Sequence, residues 1–112
     1  MRFPRVALKP ITVLHNSVLA RLHATCFAKP WSREAFGRLL DSPGVCGWLE
    51  NTGRPKGFIL VRHGAGEGEI LTLAVRPNHR RKGIGTSLLK AVLAEFSRTG
   101  IRLCHLEVAR DN

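Results

Sequence analysis

Residues Leu71 to Thr86 join an apolar, strand-like run (Leu71-Thr72-Leu73-Ala74-Val75) to a basic turn bearing two glycines. The turn opens directly on a long segment whose apolar residues, Ile84, Leu88, Leu89, Val92, Leu93 and Phe96, recur at helical spacing. A helix begins with N–H groups that find no acceptor inside it, and its aligned peptide dipoles leave partial positive charge at that end. Gly83 and Gly85 carry no Cβ to hold an anion away from the main chain, and Arg80, Arg81 and Lys82 surround the opening with cationic donors. Strand, glycine turn and helix in this order therefore predict an α/β domain with a phosphate or diphosphate site at the helix start.

Two familiar phosphate loops do not fit the spacing. A P-loop needs Lys and then Ser or Thr directly after its last glycine, whereas Ile84 and Thr86 flank Gly85. The dinucleotide fingerprint needs a third glycine and an acidic residue on a second parallel strand. A second cluster, Gly64-Ala65-Gly66-Glu67-Gly68, lies between two strand-like runs with no helix after it and reads as a hairpin connection.

The remaining segments complete a mixed α/β pattern. Phe3 to Leu8 reads as a first strand, restricted to an edge by Pro4. Leu14, Val18, Leu22 and Cys26 recur every four residues and mark one face of a first helix. Ser32 is a candidate N-cap for a second helix, with Trp31 placed to pack on Phe36 as a hydrophobic staple, and Pro43-Gly44 follows its end. Val45 to Glu50 and Gly57 to Arg62 read as strands around a turn-rich linker, and Glu69 to Val75 as a central strand covered on both faces. Gly100 stops the third helix, and Arg102 to Val108 forms a last strand, parallel to Glu69–Val75 because a helix crosses over between them.

The pattern Arg-x-x-Gly-x-Gly at Arg80 to Gly85, following the strand end Val75-Arg76-Pro77, resembles the acetyl-CoA motif of the GNAT superfamily of N-acetyltransferases. The resemblance implies a GNAT fold, a mixed central sheet flanked by helices, and acetyl-CoA as acyl donor. It further implies main-chain contacts to the pantetheine arm along Leu73, Ala74 and Val75, with an N–H, best placed at Val75, for the thioester oxygen. Arg80, Arg81, Lys82, Gly83, Ile84, Gly85 and Thr86 would then hold the diphosphate, and Asn112 matches a family asparagine that contacts coenzyme A.

His23 to Ser32, with its Pro30-Trp31-Ser32 before the second helix, and Leu106-Glu107-Val108-Ala109-Arg110-Asp111-Asn112 narrow the resemblance to the RimI type, which acetylates the N-terminal alanine of a small-subunit ribosomal protein. This implies that Phe27 and Trp31 lie on the acceptor side and that Glu107 is the general base. A protein α-amino group has a pKa of about 7.7–8.0, so a carboxylate suffices to take its proton at neutral pH. Alternation along the last strand sets Leu103, His105 and Glu107 on one face, which makes His105 the second candidate base.

Composition fits a single domain spanning residues 1–112. At 112 residues and 44% hydrophobic, the chain is able to bury one core, and it carries no apolar run long enough for a membrane span and no signal-peptide pattern, which predicts a cytoplasmic protein. The formal net charge of +10 favours polyanionic partners, coenzyme A and RNA among them. The cations are dispersed, with few aromatic residues between them to stack on bases, so a solvated basic surface is the simpler reading than a dedicated nucleic-acid face. Cys26, Cys46 and Cys104 have no metal or redox spacing and read as buried thiols. No histidine pair has metal-ligand spacing, and His15, His23, His63 and His79 read as surface or helix-end residues.

In the family, a helix with a tyrosine that protonates the leaving thiolate, and two further strands, follow the position of Asn112. This chain contains no tyrosine. The resemblance thus predicts a domain lacking its C-terminal part, either a piece of a longer protein or one completed by a second chain, with an exposed last strand able to pair with another copy. Two alternatives to protein N-terminal acetylation stay open: acetyl transfer to a small amine or a lysine side chain, and a non-catalytic basic module that binds coenzyme A or RNA.

Overall fold

The computed structural model describes residues 7–106. Five strands form one sheet in chain order: β1 (Lys9–Pro10), β2 (Val45–Glu50), β3 (Gly57–Gly64), β4 (Glu67–Val75) and β5 (Leu103–Leu106). The first four are antiparallel neighbours, and β5 runs parallel to β4. The crossover between these two is α3 (Ile84–Arg98), which covers one face, while α1 (Asn16–Ala24) and α2 (Arg33–Leu40) cover the other.

Two apolar layers follow from this arrangement. On one face Leu19 and Leu22 of α1 and Phe36 of α2 pack on Leu49, Phe58, Leu60 and Ala74; on the other, Ile84, Leu88, Val92 and Phe96 of α3 pack on Ile59, Val61 and Ile70. The staple predicted for α2 is present: Ser32 Oγ accepts the Ala35 N–H at 3.1 Å, and the Trp31 and Phe36 rings lie 5.5 Å apart. The β3–β4 hairpin closes through a two-residue turn, Ala65 and Gly66, with φ of 52° and 81°. Such positive angles match the strand twist.

β4 carries the one register irregularity of the sheet among the described residues. Leu60 pairs with Thr72 but Val61 pairs with Ile70, so Leu71 is an extra residue, a β-bulge. Leu71 therefore packs toward α1 and α2, Thr72 bonds His23 of α1 on that same side, and Leu73 and Val75 turn toward the α3 layer.

Several sequence expectations need correction. The first strand is Lys9–Pro10 rather than Phe3–Leu8: Ala7 and Leu8 are not in a strand, and residues 3–6 lie outside the described residues. The buried face of α1 is Leu19, Leu22 and His23, an i, i+3, i+4 set; Leu14 sits in a 3-10 turn at 87% exposure and Cys26 lies beyond the helix end. Leu89 and Leu93 flank the α3 stripe at 37% and 60% exposure, because a helix packed on one sheet buries only a narrow face. β4 is not continuously covered, since Glu69 is exposed and Leu73 and Val75 are half-buried along a cleft. Cys104 is exposed on β5, and Cys26 and Cys46 are half-buried rather than sealed; burial and the nearby Glu95 carboxylate push the Cys46 thiol above its ordinary pKa. No helix among the described residues is long and apolar enough to cross a membrane.

Candidate active site

β4 leaves the sheet through Arg76 into a 3-10 turn, Pro77–His79, whose first residue ends the ladder because proline has no N–H. The chain then makes two left-handed steps, Arg81 at φ 62° and Gly83 at φ 82°, before α3 begins. Glycine meets this requirement at Gly83 without a steric penalty, whereas Arg81 carries backbone strain of about 1–2 kcal/mol, which the packed turn must hold. The first helical bond is Ser87 N–H to Gly83 C=O at 3.0 Å. The N–H groups of Ile84, Gly85 and Thr86 precede it, and they are directed out of the helix end.

A cleft of about 360 Å³ opens at this turn, lined by Leu73, Ala74 and Val75 of β4, by His79, Arg80 and Arg81, by Gly83 to Thr86, and by Cys26 and Phe27 from beyond α1. Its volume is that of a small-molecule site. A Cβ built at Gly85 would find only Val75 Cγ2, at 3.9 Å, so the protein does not need a glycine here for its own packing. The bare position widens the cleft.

Among the described residues no strand pairs with the β4 main chain beyond Ile70 on this side. Arg76 N–H donates to Lys56 C=O at 2.8 Å, so in the antiparallel ladder Ala74 and Thr72 also direct their main-chain groups to β3, and Leu73 and Val75 direct theirs the opposite way. On that side the described β5 pairing ends at Ile70 with Leu106. The Val75 carbonyl accepts from Arg80 Nε at 3.0 Å and from Cys26 Sγ at 3.3 Å, which ties both walls of the cleft to the strand end.

Charge concentrates at the mouth. Burial first, and then the cations of Lys82, Lys56, Arg76 and Arg54, hold the His79 imidazole below its ordinary pKa, so it is neutral at pH 7 in a positive field. At the inner end, His23 is 2% exposed and stacks on Phe27 at 4.2 Å and on Trp31 at 4.9 Å.

The structure thus gathers Leu73, Ala74, Val75, Arg80, Arg81, Gly83, Ile84, Gly85, Thr86 and Phe27 around one cleft. Lys82 stands beside the cleft, close enough to act on His79 but not in its lining, and Trp31 is also outside the lining, stacked on His23, which in turn stacks on the lining residue Phe27. Glu107 and Asn112 lie outside the described residues. His105, the second candidate base, does not line the cleft: its Nε2 is 3.0 Å from Glu67 Oε1, and it pairs opposite Glu69, about 13 Å along the strand from Leu73. Among the described residues no cluster of His, Cys, Asp or Glu is suited to a metal. Sequence reasoning missed Cys26, His79 and His23. The basic neighbours of His79 in the chain were a usable signal for the second, but nothing local marks the other two.

A sequence model of the Acetyltransferase (GNAT) family matches residues 17–112, most of the chain. The chain belongs to the GNAT family. Members of this family use acetyl-CoA. The GNAT domain is 27% identical over 85 residues, 76% of its length, to the [ribosomal protein bS18]-alanine N-acetyltransferase of Escherichia coli strain K12, and the aligned part spans 57% of that relative. The chain thus corresponds to little more than half of the curated relatives it matches. Its fold superposes on the crystal structure of the ribosomal-protein-S18-alanine N-acetyltransferase from Escherichia coli with a TM-score of 0.86 at 20% identity, over 96% of this chain and 70% of that one. An aminoglycoside antibiotic 6'-N-acetyltransferase from Acinetobacter haemolyticus superposes with a TM-score of 0.77 at 17% identity, over 95% of this chain and 81% of that one. At these identities the two superpositions speak for the fold, including the antiparallel strands, the crossover helix and the parallel β5.

Proposed function

We propose that this GNAT domain transfers acetyl from acetyl-CoA to the N-terminal α-amino group of a protein, a ribosomal protein being the favoured acceptor. The observation that carries the reading is the continuity of one cleft: Leu73, Ala74 and Val75 at the end of β4, whose main chain no strand pairs beyond Ile70 on this side among the described residues, lead directly to the amide-rich, cationic turn from Arg80 to Thr86. An extended amide-bearing chain ending in a diphosphate is complementary to that surface in both halves. The residues present therefore suit coenzyme A.

Bound there, acetyl-CoA supplies an activated acyl group as a thioester. Leu73 would offer its N–H and C=O groups to the arm, and the Val75 N–H is assigned to the thioester oxygen, where negative charge develops; the Val75 carbonyl is already held by Arg80 and Cys26. Arg81 and the N–H groups of Ile84, Gly85 and Thr86 neutralise the diphosphate at the helix start. Glu107 is assigned the proton of the acceptor ammonium, either directly or through one water, which frees the lone pair for attack. Phe27 walls the inner, apolar end, where the acceptor must arrive. The 27% identity to the bS18-alanine enzyme is a likeness in sequence, whereas the aminoglycoside enzyme is alike in fold alone, and this favours a peptide acceptor. We also retain self-association through β5, the outer strand of the sheet among the described residues, as part of this reading.

Thiol release measured with a panel of peptides bearing free N-terminal alanine, the same peptides blocked at the N-terminus with an internal lysine, and aminoglycosides tests the assignment. Turnover confined to free N-termini is the expected result. Turnover with aminoglycosides or lysine alone would move the acceptor class, and RNA binding indifferent to coenzyme A would remove the enzymatic reading.

A further inference from the structure

His23 is the one imidazole fully enclosed among the described residues, and both its nitrogens are engaged. Nδ1 accepts the Trp31 main-chain N–H at 3.0 Å, and Nε2 lies 3.2 Å from Thr72 Oγ1. An amide N–H only donates, so Nδ1 carries no proton, and the neutral ring must then bear its proton on Nε2 and donate to the Thr72 hydroxyl. The ring stacks on Phe27 and Trp31 and meets Phe36 edge-on at 5.4 Å. Thus one side chain grips the segment from Phe27 to Trp31 at one end and the residue after the Leu71 bulge at the other. Without the bulge, alternation would turn Thr72 to the opposite face of the sheet.

The two things so joined are the inner wall of the cleft, Phe27, and the strand residue next to Leu73. Among the described residues no hydrogen bond joins the turn from Arg80 to Thr86 to His23, Phe27, Trp31 or Thr72; Arg80 bonds the Val75 carbonyl instead. We propose that His23 is a positioning residue for the acceptor: as the Nε2–H tautomer it latches the Phe27–Trp31 wall to the bulged strand and so sets where the acceptor amine meets the acyl group, without contributing to coenzyme A affinity. The low basicity that burial imposes on this ring, with its pKa lowered to about 4, keeps the latch in one protonation state through the neutral range.

This role rests on the acceptor reading above, and its test separates the two. Acetyl-CoA affinity by calorimetry, and acceptor KM and kcat with an alanine-terminated peptide, are measured for the wild type, His23→Phe, His23→Gln and Thr72→Val. His23→Phe keeps a stacking ring but loses both hydrogen bonds; its acceptor KM rises about tenfold, within the range that misplacement costs, while acetyl-CoA affinity stays within about twofold, RT ln 2 being small beside RT ln 10. His23→Gln, whose amide both donates and accepts, regains part of the loss, and Thr72→Val reproduces it in part. Should His23→Phe not fold, His23→Gln and Thr72→Val still decide: an unchanged acceptor KM in both overturns the role, as does a loss of acetyl-CoA affinity equal to the loss for acceptor. Imidazole nitrogen NMR at pH 7 provides a readout independent of turnover, and an Nδ1–H or doubly protonated His23 would also overturn it. If the wild type takes no peptide, the acceptor reading fails and the positioning role fails with it; if it takes peptide and the variants take it equally well, only the positioning role fails.

Discussion

At the scale of single residues, His23 shows how much a sequence conceals. Its neighbours in the chain, Leu22 and Ala24, say only that a helix passes; burial comes from Phe27, Trp31, Phe36 and Phe58, which three separate segments bring around the ring. The burial has a thermodynamic consequence. The folded-state pKa of about 4 lies below the ordinary 6.5, so the unfolded chain binds a proton first as pH falls. The contribution to stability is thus complete above pH 6.5 and is lost progressively as pH falls toward 4, amounting to roughly 3 kcal/mol. Denaturant melts of wild type and His23→Gln at pH 7 and pH 4 should show the wild type losing more stability than the variant by about that amount; equal losses would mean that the ring titrates normally. Glu107 belongs to the same scale but lies outside the described residues, and its role is proposed on the resemblance of Leu106-Glu107-Val108 to a family motif alone. If it is the base, Glu107→Gln lowers kcat by about 10²–10⁴-fold with acetyl-CoA affinity retained, as calorimetry and initial rates would show.

At the scale of elements, the strands from Val45 to Val75 and the helices α2 and α3 were readable because their signals are local: a cap, a staple, a hairpin turn, runs of apolar residues. The Leu71 bulge was not readable. Leu-Thr-Leu continues a strand equally well in either register, and only the competing demands of the two packed layers select the one in which Thr72 meets His23. The exposure of Leu89 and Leu93 was hidden for a similar reason, since periodicity defines a stripe but not how wide its partner is. The glycines of the turn, by contrast, announced their roles and differ in a testable way. Gly83 has φ 82°, so Gly83→Ala should cost about 1–2 kcal/mol of stability by thermal or denaturant melting. Gly85 has only Val75 Cγ2 at 3.9 Å from a built Cβ; Gly85→Val should leave stability within about 1 kcal/mol of wild type while weakening acetyl-CoA by about tenfold or more, because the added side chain occupies the cleft.

At the scale of the whole molecule, the net charge of +10 and the geometry of the cleft act together. A positive chain draws a polyanion from a distance, and the four cations that, after burial, lower the His79 pKa show where the field is concentrated. The fold brings that field to the C-terminal end of β4, with α3 supplying the amides and the cleft beside Leu73 and Val75 the room for an extended arm. That this cleft is built for coenzyme A can be checked by isothermal calorimetry of the protein with acetyl-CoA. One site is expected, with a Kd between about 1 μM and 1 mM, the span common for enzyme substrates, weakened by added salt and by Gly85→Val. Absence of binding heat from the folded protein at several temperatures, or heat that Gly85→Val leaves unchanged, would contradict it.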